Sequence, residues 1–189
     1  MIEMLPLKEY IIQGKHQFHN ITKKASYVVG IDINRAGIKQ LKELSYNVEY
    51  CDVFSDNHQY LEDEYDYVVL SHVLEHIVDL TGFLEQVVNK VKTKEFIFAV
   101  PNAYNIKHAL PTLLLQRERV SNDHYYTFTP ITFIKLIEAL EFEAIALYFD
   151  QDRTIRNGNR HVILGRVWSY IKSKVFTKSG DIILIARSN

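Results

Sequence analysis

Tyr27-Val28-Val29-Gly30-Ile31-Asp32-Ile33 is a continuous apolar run with an acid at its end. Its shortness and its β-branched content predict a buried parallel strand. Outward from it, Asn34 caps a helix running through Leu44, with Ile38, Leu41 and Leu44 on one face. Tyr46 to Cys51 reads as the next strand and Asp52 closes it. Tyr65 to Ser71 is a third strand. A helix from Thr81 to about Lys92 follows, turning Phe83, Leu84, Val87, Val88 and Val91 inward. Glu95 to Val100 is a strand stopped by Pro101. Thr129 and Pro130 are the cap and first position of a helix through Leu140. Phe142 to Phe149 and Asp181 to Ala186 are the last two strands.

Strands alternating with helices imply βαβ units and a mostly parallel sheet with helices on both faces, a doubly wound α/β fold. The order changes near the end to helix, strand, long excursion, strand, which lets the last strand enter antiparallel between neighbours. Two stretches are too long for plain connections. Residues 102–128 carry a candidate helix over Tyr104 to Leu115. Residues 150–179 carry an amphipathic candidate, Val162 to Val175, around Trp168.

The chain has 189 residues, 47% of them apolar and 24% charged, which suits one domain spanning 1–189 with a substantial core. A net charge of -1 argues against a protein built to grip nucleic acid or an anionic surface. No stretch reaches the roughly 18 apolar residues of a membrane span, and Met1 to Lys8 lacks a signal-peptide pattern. The single cysteine, Cys51, fits a reducing compartment, so the protein is expected to be cytoplasmic. Cys51 itself reads as a small buried apolar side chain. The aromatic stretches Tyr125 to Phe133 and Tyr148-Phe149 are either core or an interface between copies in a homo-oligomer.

In a doubly wound sheet ligands bind beyond the carboxyl ends of the strands. Those positions here are Asp32, Asp52, Ser71-His72 and Pro101-Asn102. An acid at the place of Asp32 can take both ribose hydroxyls of an adenosine-type cofactor, or simply favour a helix N-terminus. Asp52 is either a contact to an adenine amino group or a turn acid. His72, His76 and His124 titrate near neutrality and are candidate bases, while His76 and His124 also suit structural hydrogen bonds. His72 and His76 are four apart, but no third ligand is evident beside them, so no metal is expected. His16 and His19 lie near the first turn without a clear role.

Together the segments "VVGIDIN", "NVEYCDVF", "YDYVVLSHVLEHI" and "FIFAVPN" resemble the class I S-adenosylmethionine-dependent methyltransferase superfamily. The run from Pro101 to Phe149 further resembles its methyltransferase type 11, glycan-associated members. The resemblance implies a seven-stranded sheet with an antiparallel last strand and S-adenosylmethionine as cofactor. It implies methyl transfer to a small-molecule or carbohydrate acceptor covered by residues 102–128. By position, Asp32 and Ile33 would hold the ribose side, Asp52 and Val53 would flank the adenine, and Gly14 and Ser71 would line the methyl-donor end. His72 would line the wall beside the methyl donor with Ser71, and His76 and His124 would lie near the acceptor.

One motif departs from that family. Its first loop normally carries three closely spaced glycines that let backbone amides approach the cofactor. The matching stretch, Glu9-Tyr10-Ile11-Ile12-Gln13-Gly14-Lys15-His16-Gln17-Phe18, has only Gly14, and the first strand is short or irregular. This degenerate motif leaves a second reading: a methyltransferase-like domain that has lost its cofactor and serves as a structural or interaction partner. A Rossmann dehydrogenase is a third, disfavoured by the missing G-x-G-x-x-G.

Overall fold

The computed structural model describes residues 17–55, 59–105, 114, 120–149 and 180–188. The short or irregular first strand expected from the sequence, Gly14, His16, most of the helix expected over Tyr104 to Leu115, and the helix expected over Val162 to Val175 lie outside the described residues. The chain forms two compact units, Met1–Glu62 and Asp63–Asn189.

In the first unit, helix α1 (Gln17–Thr22) precedes strand β1 (Gly30–Asp32), helix α2 (Arg35–Glu43), strand β2 (Val48–Tyr50) and the short helix α3 (Gln59–Glu62). β1 and β2 pair in parallel, Gly30 opposite Val48 and Asp32 opposite Tyr50. Gly30 has no side chain because the Phe18 ring and Val48 fill that volume; a Cβ there would lie 3.0 Å from both. Asn34 caps α2 as expected, accepting from the Gly37 amide at 3.0 Å. At its other end Ser45 takes a left-handed φ of 62°. The Ser45 amide donates to Lys42 O and the Tyr46 amide to Leu41 O, a Schellman closure of the helix.

The apolar run that reads as a buried strand is more open than expected. Only Gly30–Asp32 is extended, and Tyr27, Ile31 and Ile33 are all exposed. An apolar run records what a strand would tolerate burying; what covers it is decided elsewhere in the chain. Cys51, by contrast, is buried as its small apolar character suggested.

In the second unit, strand β3 (Glu64–Ser71) leads into a 3₁₀ turn (Leu74–His76), helix α4 (Leu80–Lys90), strand β4 (Lys92–Val100), helix α5 (Pro130–Ala139), strand β5 (Phe142–Phe149) and strand β6 (Ile182–Ser188). The sheet order is β3-β4-β6-β5. β3 and β4 are parallel, joined through α4, while β6 lies antiparallel to both β4 and β5. The last strand therefore enters between its neighbours as the order of elements suggested. The described strands form a two-stranded and a four-stranded sheet.

The core of this unit is aromatic. Phe96 and Phe98 on β4 stack nearly parallel and meet Phe142 of β5 edge-on. Phe133 of α5 closes on Phe98 and Phe128. Such offset and edge-to-face pairs add to the burial itself. α4 contributes Leu80, Phe83, Leu84 and Val87, the i, i+3, i+4, i+7 stripe of an amphipathic helix. Thr129 and Thr132 form a reciprocal capping box at α5, with Pro130 at its first position. Among the described residues no helix is long and apolar enough to cross a membrane.

Candidate functional site

In the first unit the parallel register carries Asp32 and Asp52 to the carboxyl ends of neighbouring strands. Asp32 Oδ1 accepts from the Asn34 amide at 2.7 Å, and Asp52 Oδ1 accepts from the Phe54 amide at 3.0 Å. Both acids close Asx turns. The Cys51 amide donates to Asp32 O at 3.1 Å and ties the two strand ends together. Beside them Ile33 is 68% exposed and Phe54 is exposed, whereas Val53 is buried. The Arg35 guanidinium stacks 3.6 Å over the Tyr50 ring, a cation–π contact. His19 Nδ1 hydrogen-bonds the Tyr46 hydroxyl, a structural use of that histidine.

In the second unit the chain leaves β3 at Ser71, and the His72 amide continues the ladder by donating to Ala99 O at 2.9 Å. His72 then takes a left-handed φ of 54°, rare for a residue with a Cβ. Its ring sits between two acids: Nε2 is 3.1 Å from Asp181 Oδ2 and Nδ1 is 3.2 Å from Glu75 Oε1. The Asp181 hydrogen bond, then that of Glu75, favours the charged ring against the opposing effect of burial. They raise its pKa from 6.5 to about 10. At neutral pH His72 thus holds its proton and has no lone pair with which to accept another. Its charge, not its basicity, is what it offers.

The 3₁₀ turn places Glu75 and His76 side by side, and the loop at 120–128 folds onto them. The Tyr125 amide donates to Glu75 O at 2.7 Å, and the Tyr126 hydroxyl donates to Val78 O at 2.8 Å. His76 Nδ1 meets Asp123 O at 3.0 Å and Asp123 Oδ2 at 3.3 Å. The His76 and His124 rings meet edge to face with centroids 4.7 Å apart. The Asp123 carboxyl is held below its ordinary range, first by the Ser121 hydroxyl. Where the long excursion leaves and rejoins the fold, Asn102 and Phe128 form a parallel bridge, and the Ala103 amide donates to Phe128 O at 2.8 Å.

The structure thus brings His76 and His124 together, separates His72 from them by its two acids, and sets Asp32, Ile33, Asp52 and Val53 at one pair of strand ends. Gly14 falls outside the described residues. Sequence reasoning assigned no role to Glu75 or Asp181. The signal for Glu75 is an acid inside Val73-Leu74-Glu75-His76-Ile77, where the apolar neighbours foretell burial. Asp181 has no local signal, because its partner is set by the insertion of β6. An open hollow of about 410 Å³, bridged by Arg187 and Glu95, lies at the opposite, amino end of β3 and β4 and touches none of these groups.

Residues 14–147 match the family described as "Methyltransferase domain". No curated protein matches the chain by sequence. Solved structures with similar folds include a SAM-dependent methyltransferase from Archaeoglobus fulgidus, with a TM-score of 0.59 and 22% identity over 93% of this chain and 82% of that one. Magnesium protoporphyrin IX methyltransferase from Synechocystis, solved with bound SAH, has a TM-score of 0.53 and 14% identity over 90% of this chain and 68% of that one. The [4+2]-cyclase SpnF has a TM-score of 0.53 and 14% identity over 89% of this chain and 70% of that one. A cyclase among them illustrates that the fold alone does not fix the reaction.

Proposed function

Because the chain belongs to the methyltransferase-domain family, we propose that it transfers a methyl group from S-adenosylmethionine to a small-molecule or sugar acceptor. The observation that carries this reading is the parallel pairing of β1 and β2. It sets Asp32 and Asp52 at adjacent strand ends beside the exposed Ile33 side chain. Two acids next to uncovered apolar surface suit an adenosine, whose ribose offers hydroxyl donors and whose base offers an apolar face.

Asp32 accepts the ribose hydroxyls with Ile33 alongside. Asp52 and Val53 flank the base. S-adenosylmethionine supplies a methyl group already activated on a sulfonium, so the protein's task is alignment of an acceptor oxygen or nitrogen. For an alcohol acceptor, a base is taken from His76 or His124, since His72 is already protonated at neutral pH. The single buried cysteine suits a reducing, cytoplasmic setting. A glycan acceptor rests on the likeness of Pro101 to Phe149 to the glycan-associated members and on nothing in the site itself.

The single glycine between Glu9 and Phe18 favours the second reading, a domain that no longer binds the cofactor. Calorimetric titration with S-adenosylmethionine and its demethylated product separates the two. Saturable micromolar binding, weakened at least about tenfold by Asp32→Asn, supports the enzyme. Heat indistinguishable from buffer in the unaltered chain overturns it and leaves the structural or interaction role.

A further inference from the structure

Glu75, His76 and His124 each offer a ligand atom, and these atoms all lie within 4.8 Å of one another. The cluster is more than a coincidence of polar groups, because one of its residues has an unmet need. Glu75 is 1% exposed. Its Oε1 is engaged by His72, while Oε2 is buried with no hydrogen-bond partner among the described residues. A buried carboxylate oxygen without a partner is costly, and native structures rarely keep one without a water, an ion or a functional reason.

The imidazoles are prepared to meet that need. Asp123 O is an acceptor only, so the His76 nitrogen facing it, Nδ1, must carry the proton. That fixes the tautomer and leaves Nε2 with its lone pair, the arrangement by which outer-shell carbonyls orient metal-binding histidines. His124 is held against His76 by the ring contact and by its own turn, in which its amide donates to Ser121 O at 3.1 Å. Tyr125 and Tyr126 clamp the loop to the 3₁₀ turn, so the third ligand does not depend on a free segment.

We propose that Glu75, His76 and His124 bind one first-row divalent transition-metal ion, with at least one coordination position left open. Two imidazoles and a carboxylate favour zinc, manganese, iron or cobalt over magnesium or calcium, which take oxygen alone. Ligand atoms around one such ion, with bonds of about 2.0–2.2 Å, lie about 3–4 Å apart. Binding would draw the ligand atoms, now all within 4.8 Å of one another, to that spacing. The sequence pattern suggested no metal because the nearby pair, His72 and His76, has no third ligand. The structure gives His72 to the two acids and supplies His124 from the far loop. A bound ion occupies the lone pairs that His76 and His124 would need as bases, so the metal and base readings of these rings exclude one another.

The test needs no methyl donor, so its failure is distinct from failure of the methyl-transfer reading. The full chain, stripped with EDTA, is titrated with zinc by calorimetry and with cobalt by visible absorption. One ion per chain, cobalt d–d bands of mixed nitrogen and oxygen coordination, and loss of binding in His124→Ala with an unchanged far-UV spectrum support the site. Glu75→Gln should weaken binding at least about tenfold. Because Glu75 is buried and its substitution can unfold the chain, His124→Ala, at a half-buried position of an otherwise exposed loop, is the deciding variant. No saturable binding in the unaltered chain overturns the proposal, as does binding that persists in His124→Ala.

Discussion

His72 combines a strained backbone with a trapped charge, and the two can be separated by substitution. In metal-free buffer, His72→Ala and His72→Gly both remove the ring and its contacts to Asp181 and Glu75. The folded pKa is raised, to about 10 from 6.5. The charged ring's contribution to stability is therefore complete below pH 6.5, falls as pH rises, and is gone above about pH 10. A shift of that size corresponds to several kcal/mol in full, but 39% of the side chain is in solvent, so screening reduces the expected value to about 1–2 kcal/mol. Urea unfolding from about pH 6 to about pH 10 should show the gap between the unaltered chain and His72→Ala closing across this window. The gap between Ala and Gly has a different origin. At φ 54° a Cβ is disfavoured, so His72→Gly should be the more stable by about 1 kcal/mol at every pH. A pH-independent penalty for His72→Ala would refute the trapped charge. Equal stability of Ala and Gly would refute the left-handed backbone.

Three further outcomes test the packing and the caps. Phe133 is fully buried between Phe98 and Phe128, so Phe133→Ala should cost about 3–5 kcal/mol in urea unfolding. Thr129→Ala removes the side chain that receives the Thr132 amide and should cost about 1 kcal/mol, read as a lower thermal midpoint. Glu141 follows α5 at φ 62°, so Glu141→Gly should raise the thermal midpoint, by about 1 kcal/mol in stability.

What was legible in the sequence was local. The Asn34 cap, the Thr129-Pro130 start of α5 and the bounds of β5 each depend on residues within a few positions of one another, and each stands where the pattern put it. The antiparallel entry of β6 between β4 and β5 was legible from the order of elements near the end of the chain, helix, strand, long excursion, strand. Burial was less so. Ile33 looked like core because it is apolar, yet exposure is a property of what packs against a residue. The left-handed turn at His72 was hidden because no glycine or asparagine marks it, and its compensating acids come from Glu75 and from the far end of the chain. His124 was legible as a loop histidine near aromatics, but the 3₁₀ turn that meets it was not.

The strand ends share one device, and it changes how their acids should be tested. Asp32, Asp52 and Asn102 each accept the amide two residues onward, at 2.7, 3.0 and 3.0 Å. A side-chain oxygen thereby turns the chain as it leaves the strand. The structural and ligand-binding readings of Asp32 are therefore compatible. An ionised carboxylate has about four lone-pair sites, and the turn uses one. Asp32→Ala removes both roles and cannot tell a lost turn from a lost ribose contact. Asp32→Asn keeps an oxygen for the Asn34 amide and removes only the charge. If Asp32 grips a ribose, Asp32→Asn should leave the urea midpoint in place and weaken binding of the demethylated cofactor at least about tenfold. Asp32→Ala should also lose about 1 kcal/mol of stability. Binding by Asp32→Asn equal to that of the unaltered chain would mean that the acid serves the turn alone.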